Sequence, residues 1–264
     1  MNRITIVLIL FLVGCSTVPL TNRKQLNLIP SSQVLALSAD NYQQVLREKD
    51  LSGNSEYVSR VRRVGQNIAR SVEAYLSETG QSGLLNGYNW EFNVIEDELV
   101  NAWAMPGGKI AFYEGIMPVC NDDLGVAVVM GHEVAHAVAR HGNERMSQGL
   151  MTQLGGVALA VALKDQPQTT QAIALAAFGA GTTVGVILPF SRLHESEADE
   201  LGLYFMAKAG YDPREAPKFW ERMAEQGGGS EPPEFLSTHP NHSTRIRRLN
   251  EHMPKALEYY RANR

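Results

Sequence analysis

Hydrophobic residues recur at helical spacing in several parts of the chain. Between residues 34 and 46, and again between 57 and 76, they fall at steps of three and four, which predicts two amphipathic helices. The stretch 77–89 is rich in Gly, Ser and Asn and predicts a loop. Asp122 can cap a further long helix rich in Val and Ala, which predicts that this helix is buried.

The spacing of apolar residues changes after residue 89. Apolar and polar residues alternate over 90–95, as they do in a half-buried strand. Two further strand-like segments, 100–105 and 109–113, flank a Pro-Gly-Gly turn signal at 106–108. The chain is therefore predicted to have an α+β fold, mainly helical, with a small antiparallel sheet beside the helix that begins near Asp122.

An uncharged apolar run of ten residues occupies positions 4–13. It is too short to cross a membrane, which takes about twenty residues, but it fits the apolar region of a secretory signal. The run ends in Leu-Val-Gly-Cys at 12–15, which resembles the bacterial lipobox. This resemblance implies that residues 1–14 are a lipoprotein signal peptide and that Cys15 is lipidated, and Ser16 after it favours the outer membrane. An uncleaved anchor and an ordinary signal peptide are the alternatives.

The remaining chain is expected to form one domain behind a tether. Residues 15–33 are polar and punctuated by proline, so they predict a lipid anchor and tether, while residues 34–264 predict a single domain. A run of Gly, Ser and Pro at 227–233 is followed by too few residues for another domain, and it therefore predicts a loop within this one.

A long apolar stretch separates Asp165 from Arg192, with no charged residue between them. Its core, 172–188, is interrupted by glycines and is shorter than the roughly twenty residues of a transmembrane helix. Together with 150–163 it predicts a helical hairpin near the cleft. This hairpin is expected to be a lid, a membrane-contacting element or a static part of the core.

Composition excludes several classes of protein. A chain of 264 residues with 44% hydrophobic and 20% charged residues is typical of a folded globular protein. Its net charge of −4 gives no electrostatic reason to expect a nucleic-acid partner. Two cysteines cannot form a disulfide scaffold, and with Cys15 acylated, Cys120 is expected to be a small core hydrophobe.

Residues 132–136 contain the HExxH pattern, His-Glu-Val-Ala-His. On a helix, His132 and His136 lie one turn apart on the same face, so both imidazoles can bind one zinc ion. Glu133 then adjoins the open coordination position, where it can take the proton of an attacking water and pass it to a leaving amine. Such a short match also arises by chance in core helices, so a third ligand decides the matter.

Two candidates exist for the third ligand. His141 is nine residues beyond His132, about 180° around an unbroken helix, which favours a structural role or a contact behind a ligand. Glu195 and Asp199 are four residues apart and share a helix face. Glu195 can be the third ligand, while Asp199 can accept a hydrogen bond from a ligand imidazole. Glu197 is expected on nearly the opposite face.

Four segments between residues 99 and 249 carry a family resemblance. They are VNAWAMPGGKIAFYEGIM, GHEVAHAVARHGNERMS, PFSRLHESEADELG and STHPNHSTRIRRL. In this order they are similar to zinc metallopeptidases of the HtpX/CAAX prenyl protease-1 type, in particular to the soluble bacterial lipoprotein members. The resemblance implies a mainly helical zincin (gluzincin) domain with one zinc ion per chain, held by His132, His136 and Glu195. It also implies that Glu133 is the catalytic base and that Asp199 lies behind a ligand.

Three further site assignments concern the substrate. Zincins bind substrate as an added strand at a sheet edge, and a plain core strand is the alternative. The candidate edge consists of Asn101, Ala102, Trp103 and Ala104. Either His239 or Arg245 can hydrogen-bond the oxyanion or the substrate carbonyl, or His239 can occupy the open zinc position and hold the enzyme latent. A surface histidine is the alternative for His239.

These patterns predict a zinc-dependent endopeptidase of the cell envelope, anchored in the outer membrane by its N-terminal lipid and facing the periplasm. The resemblance implies unfolded or misassembled envelope polypeptides as its substrates. One alternative is a periplasmic holdase or assembly factor for outer-membrane proteins, with proteolysis secondary. Another is a structural lipoprotein in which zinc only stabilises the fold.

Overall fold

The helix that carries the HExxH pattern lies at the centre of the fold. The computed structural model describes residues 15–226, 235, 239 and 244–263. Its strands are β1 (Cys15–Thr17), β2 (Lys24–Leu26), β3 (Glu91–Ile95), β4 (Ala102–Met105) and β5 (Lys109–Tyr113). Its helices are α1 (Ser31–Glu48), α2 (Ser55–Glu78), α3 (Met117–Cys120), α4 (Asp123–Val138), α5 (His141–Ala162), α6 (Gln168–Thr182), α7 (Leu188–Lys208), α8 (Glu215–Gln226) and α9 (Arg245–Ala262). The predicted mainly helical α+β class is confirmed.

Helix α4 is buried because nearly every side chain along it is small or apolar. Asp122 begins the helix, and its carboxylate accepts hydrogen bonds from the backbone N–H groups of Leu124 and Gly125. α4 packs most extensively against α7, and the two backbones meet at Gly131 and Gly202. A Cβ atom at Gly131 would lie 2.7 Å from the carbonyl oxygen of Gly202, so this approach requires glycine. The close crossing places the HExxH residues beside the acidic residues of α7.

A three-stranded sheet lies beside α4, in the order β3-β5-β4. β4 and β5 are antiparallel and are joined by the predicted turn, where Gly107 and Gly108 have φ angles of 88° and 81°. β3 and β5 are parallel, so the sheet is mixed and the prediction of an antiparallel sheet is wrong for this pair. The segment 96–101 carries the chain past β5 before β4 begins. β5 therefore occupies the middle, and β4 is an edge strand of the described sheet.

Residues 15–33, which the sequence predicts to be a tether, are folded onto the domain. β1 and β2 form an antiparallel hairpin, and Val18 beside it is fully buried. Beyond β2, the backbone N–H of Leu28 donates to Oγ of Ser147 on α5, with an N–O distance of 2.9 Å. The polar residues that suggested a solvated tether instead make hydrogen bonds to the domain, so this expectation is corrected.

Cys120 lies at the end of α3 within the hydrophobic core. It is fully buried, and burial raises the pKa of its thiol well above the usual range. The residue therefore behaves as the small core hydrophobe that the sequence predicts. The predicted loop at 227–233 lies outside the described residues.

Helices α5 and α6 form the predicted helical hairpin, and α6 continues directly into α7. A π-helical turn at Thr183–Ile187 joins them, so one helix runs from Gln168 to Lys208 over 41 residues. Its most apolar window has a mean hydropathy of 1.9, and none of that window is buried. By length and composition it is the one helix of the described chain that could cross a membrane. Contrary to expectation, the glycines of 172–188 do not shorten this segment, because they remain helical.

Candidate metal centre

Four side chains from three parts of the fold direct their donor atoms at one point. His132 and His136, one turn apart on α4, hold their Nε2 atoms 3.0 Å from each other. Glu195 on α7 places its Oε2 atom 3.3 Å from Nε2 of His132 and its Oε1 atom 3.3 Å from Nε2 of His136. His239 adds Nδ1, which lies 3.1 Å from Nε2 of His132 and 2.9 Å from a carboxylate oxygen of Glu195. All four donor atoms lie within 4.8 Å of one another.

The separations between these donor atoms suit a tetrahedral metal site. Bonds from zinc to nitrogen and carboxylate ligands are about 2.0–2.2 Å long, which places neighbouring ligand atoms roughly 3.3 Å apart. Imidazole nitrogen and carboxylate oxygen are ordinary zinc ligands. The donor cluster, defined as His132, His136, Glu195 and His239, therefore fits zinc in both chemistry and spacing.

The Nε2 atom of His136, which faces into the donor cluster, carries a lone pair rather than a proton. Burial lowers the pKa of His141 to about 4 and holds that of His136 well below its usual value, so both rings are neutral. His141 donates its Nε2–H to Glu197 at 3.0 Å and therefore accepts the Nδ1–H of His136 at 2.9 Å. Nε2 of His136 is left as a lone pair facing Nε2 of His132, a contact that a cation between them would stabilise.

His132 lies between two carboxylates. Burial alone would lower its pKa, but hydrogen bonds to Asp199 and Glu195 outweigh burial and raise it to about 9. Oδ1 of Asp199 lies 3.0 Å from Nδ1 of His132, which directs Nε2 into the donor cluster. The cluster thus requires one positive charge, which either a proton on His132 or a metal ion can supply.

Arg245 lies behind the donor cluster, at the start of α9. Its Nη2 donates to Asp199 at 2.6 Å, and its Nη1 donates to the backbone oxygen of His239 at 3.2 Å. The buried guanidinium also stacks on Trp220, 3.3 Å from the ring centre. Arg245 is thus placed to orient Asp199 and the backbone of His239, and it is not among the described residues that line the cleft.

A cleft of about 260 Å³ opens in front of the donor cluster. Glu133 lies in its floor and is only 2% exposed, and this burial raises the pKa of its carboxyl group. Its Oε1 has no hydrogen-bond partner among the described residues, and Nε2 of His239 lies 3.5 Å away. Because an unpaired buried acceptor costs free energy, this oxygen is well placed to accept a hydrogen bond or a proton from a water molecule or a substrate in the cleft.

The predicted edge segment forms another wall of the same cleft. The lining residues from this segment are Asn101, Ala102, Trp103 and Ala104. In the described structure β4 pairs only with β5, so its other edge is available for an added strand.

A second polar network lies behind His136 and extends to the N-terminal segment. His141 bonds to Glu197, and His194 lies 2.9 Å from a carboxylate oxygen of Glu144. Arg23, between β1 and β2, lies 2.8 Å from a carboxylate oxygen of each acid. Burial would raise the pKa values of Glu144 and Glu197, but these hydrogen bonds hold both at about 2. The network fixes His141 and, through it, the ring of His136.

Sequence reasoning assigned no role to Arg23, Glu144 or His194. Glu197 does face away from Glu195, as expected, but it is buried against His141 rather than solvated. His141 reaches the back of His136 because the chain turns at Arg140, whose φ is 58°, so α5 begins in a new direction. The sequence feature that could have indicated this network is the high density of acidic residues and histidines in α5 and α7. No local sequence pattern indicates the contribution of Arg23.

The chain is similar to several named proteases. It is 33% identical over 246 residues to mitochondrial metalloendopeptidase OMA1 of Schizosaccharomyces pombe, covering 90% of this chain and 66% of that protein. The corresponding Saccharomyces cerevisiae protein is 37% identical over 194 residues, with coverages of 71% and 54%. The beta-barrel assembly-enhancing protease of Escherichia coli is 29% identical over 178 residues, with coverages of 64% and 36%. The chain thus spans less than two thirds of the length of these relatives.

The profile of Peptidase family M48 matches residues 60–253, which is more than half of the chain. The matched region contains the edge strand, α4, α7 and all four members of the donor cluster. The predicted resemblance to zinc metallopeptidases is confirmed at the level of the family, and the donor set agrees with zinc as its metal. The chain therefore belongs to peptidase family M48.

Proposed function

We propose that this chain is a zinc-dependent endopeptidase of the cell envelope that hydrolyses peptide bonds in unfolded or misassembled envelope proteins. The observation that carries the peptidase activity is the buried Oε1 of Glu133, which lacks a partner among the described residues, in the floor of the cleft beside the donor cluster. Membership of a peptidase family supports the same activity.

The residues of the cleft divide the chemistry between them. Zinc held by the two α4 histidines and Glu195 would supply Lewis-acid activation of the attacking water and the scissile carbonyl. Glu133 accepts the proton of that water and passes it to the leaving amine. Asp199 keeps His132 in the tautomer that presents Nε2 to the metal.

Substrate would bind along the open edge of β4. An extended peptide added there forms backbone hydrogen bonds with Asn101–Ala104, while Glu133 approaches its scissile bond from the floor of the cleft. Backbone pairing depends little on side-chain identity, which suits a protease that acts on many unfolded chains.

We infer that His239 blocks the active site in this arrangement, so that cleavage requires the ring to withdraw. Its Nδ1 takes the fourth donor position, which a catalytic zinc site keeps open for water or substrate. The same ring covers the base, because its Nε2 lies 3.5 Å from Oε1 of Glu133. Withdrawal of His239 would open both, and the ring could then hydrogen-bond the oxyanion instead. Arg245, which holds the backbone oxygen of His239, is the positioning residue for this movement.

The proposed envelope location is supported by the first residues of the chain and by one relative. The lipobox-like sequence at 12–15 supports lipid attachment at Cys15 and anchoring in the outer membrane, with the domain facing the periplasm. The Escherichia coli relative is by name a beta-barrel assembly-enhancing protease, which supports misassembled envelope polypeptides as substrates. The OMA1 relatives are mitochondrial by name, so related domains also serve another membrane-bounded compartment.

Casein cleavage tests the proposed activity. The purified protein is expected to cleave casein, to lose this activity when phenanthroline removes the metal, and to regain it when zinc is added. Undiminished cleavage by metal-free protein would contradict a zinc-dependent mechanism.

A holdase for unfolded outer-membrane proteins is the second candidate. The exposed apolar side chains of the α5–α6 hairpin favour it, because such surface can bind unfolded chains. A Glu133→Gln variant that still corrects envelope defects in cells lacking the wild-type protein would favour the holdase. Failure of that variant would favour the peptidase.

A further inference from the structure

The hairpin formed by α5 and α6 exposes apolar side chains on both of its arms. We define the apolar hairpin as residues 149–188. Large hydrophobic residues of this segment that are more than a third exposed are Leu150, Met151, Leu154, Val157, Val161, Ile173, Val184, Val186 and Leu188. The rest of the described domain buries most of its large hydrophobic residues in two clusters. The apolar hairpin is therefore the part of the molecule that is least suited to water.

Two properties distinguish this hairpin from a lid. A lid is apolar on the face that covers the cleft and polar on the other, whereas residues 166–191 carry no charge on any face. The arms also pack on each other, since a Cβ atom at Gly155 would meet the ring of Phe178 at 2.8 Å, and their apolar side chains still point outward. A helix pair that is uncharged all round and mostly apolar suits a lipid environment.

We propose that the apolar hairpin inserts into a lipid bilayer and holds the cleft at a fixed height above the membrane surface. An arm of fifteen residues, 149–163, is about 22 Å long. An arm of this length places the tip of the hairpin, which contains Lys164 and Asp165, most of the way across an apolar layer about 25 Å thick. The apolar band of outer-membrane barrels has this height. The charged tip thereby approaches the far interface, and backbone polar groups remain paired within the helices.

The cleft lies at the base of the hairpin. Gly142 and Arg145, in the first turns of α5, line the cleft, and the exposed large hydrophobic residues of this helix follow them, with Met146 and then Leu150. Five helical steps between Arg145 and Leu150 correspond to about 7.5 Å along the axis. The insertion therefore places the part of the cleft lined by Arg145 within roughly 10 Å of the start of the inserted segment.

The N-terminal segment reaches the same base. β2 packs against α5, and Asn143 of α5 donates its side-chain amide to the backbone oxygen of Ile29. Cys15 pairs with Leu26 of β2, so a lipid attached at Cys15 would start from the strand pair that packs against α5. The two attachments together would fix the orientation of the cleft, which favours polypeptide segments close to the membrane surface as substrates. This consequence rests on the proposed peptidase function, whereas the insertion itself does not.

Quenching by lipids brominated on their acyl chains tests the insertion. The full-length protein is mixed with vesicles of phosphatidylethanolamine and phosphatidylglycerol, using Val157→Trp as the reporter and Leu37→Trp on α1 as the control. Both positions are exposed, at 57% and 48%. The signal of the wild-type tryptophans is subtracted from each. Quenching at position 157 and none at position 37 is expected. Absence of quenching at both positions would overturn the proposal in favour of a lid. A tryptophan at position 157 whose environment, without vesicles, becomes more apolar as protein concentration rises would overturn it in favour of contact between two copies.

A paired substrate tests the consequence. One peptide is offered both free and attached to a vesicle lipid, and the ratio of the two cleavage rates is measured for wild type and for the double variant Val157→Glu, Ile173→Glu. Charges at the centre of an inserted helix weaken its partition by about tenfold or more, so the preference for attached peptide should fall by a similar factor. An unchanged ratio would overturn the proposed height of the cleft. If the wild-type protein cleaves neither the free nor the attached peptide, that result would instead count against the peptidase function.

Discussion

Asp199 shows how a residue outside the donor cluster can set the strength of the metal site. Its carboxylate orients His132 and in turn receives a hydrogen bond of 2.6 Å from Arg245. Asp199→Asn keeps the shape of the side chain but can no longer hold the same tautomer of His132 by charge. We expect zinc affinity to fall by about 10–100-fold, measured by competition with a chelator. Glu200→Gln, at the adjacent position, should change it little, and equal losses for the two variants would contradict this role.

His239 allows the latency hypothesis to be separated from a role in oxyanion binding. If the ring blocks the fourth donor position, His239→Ala should raise casein cleavage above the wild-type rate. If the ring binds the oxyanion, the same variant should lower kcat by a factor of about a hundred. His252→Ala, on α9 beside Tyr204, is the matched control because it removes a histidine without touching the donor cluster. Because the two effects on the rate oppose each other, zinc affinity is measured as well, and a wild-type rate together with unchanged zinc affinity would exclude both roles.

The crossing of α4 and α7 explains how Glu195 comes to share one metal with His136 and His132, which lie 59 and 63 positions earlier in the chain. Gly131→Ala or Gly202→Ala places a methyl group 2.7–2.8 Å from the opposing backbone, which cannot move aside without separating the helices. We expect a loss of about 1–3 kcal/mol in unfolding free energy together with weaker zinc binding. Gly149→Ala on α5 meets no atom within 4 Å and should be neutral or stabilising by up to about 1 kcal/mol. Thermal unfolding of the three variants measures this, and similar behaviour of all three would contradict the account.

The polar network around Arg23 joins the N-terminal hairpin to α5 and α7, and it predicts a pH dependence of stability. Glu144 and Glu197 have folded-state pKa values of about 2, below the usual value of about 4.3. Groups with depressed pKa values stabilise the fold above the unfolded pKa and lose this contribution as pH falls through the folded pKa. Stability should therefore decrease between about pH 4.5 and pH 2.

Arg23→Gln tests the same network in urea unfolding at two pH values. We expect a loss of about 3 kcal/mol at pH 7 and a smaller difference from wild type near pH 3, where the two acids begin to protonate. Arg63→Gln is the control, because its pair with Asp123 is on the surface and contributes little. A loss for Arg23→Gln that is the same at both pH values would mean that packing, rather than charge, sets the contribution of Arg23.

Much of the architecture follows from local patterns, while the pairing of distant parts does not. The spacing of apolar residues predicts α1, α2 and α4, and the Pro-Gly-Gly turn predicts the β4–β5 hairpin, because these features depend on neighbouring residues. Glu195 could be selected as a ligand because zinc chemistry requires a third donor. The parallel pairing of β3 with β5, the burial of Glu197 and the docking of residues 15–33 depend on contacts between remote segments, and these escape a local pattern.

At the scale of the whole molecule, the N-terminal segment, the apolar hairpin and the cleft meet around the start of α5. Leu28 donates a hydrogen bond to α5, and Arg23 donates hydrogen bonds to Glu144 near the start of the same helix. The cleft is lined by His141 and Arg145, also near the start of α5. In the proposed function, anchoring, membrane contact and catalysis share this helix. Hydrogen bonds connect Arg23 of the N-terminal segment to the ring of His136 through Glu197 and His141.

Zinc content and casein cleavage, measured together for wild type and Glu133→Gln, test the central claim most directly. Glu133 lies in the cleft floor and is not a member of the donor cluster, so its amide should leave the metal in place. We expect one zinc per chain in both proteins and full cleavage only in wild type, with a loss of at least about a hundredfold in the variant. Full cleavage by Glu133→Gln, or wild-type protein without zinc, would contradict it.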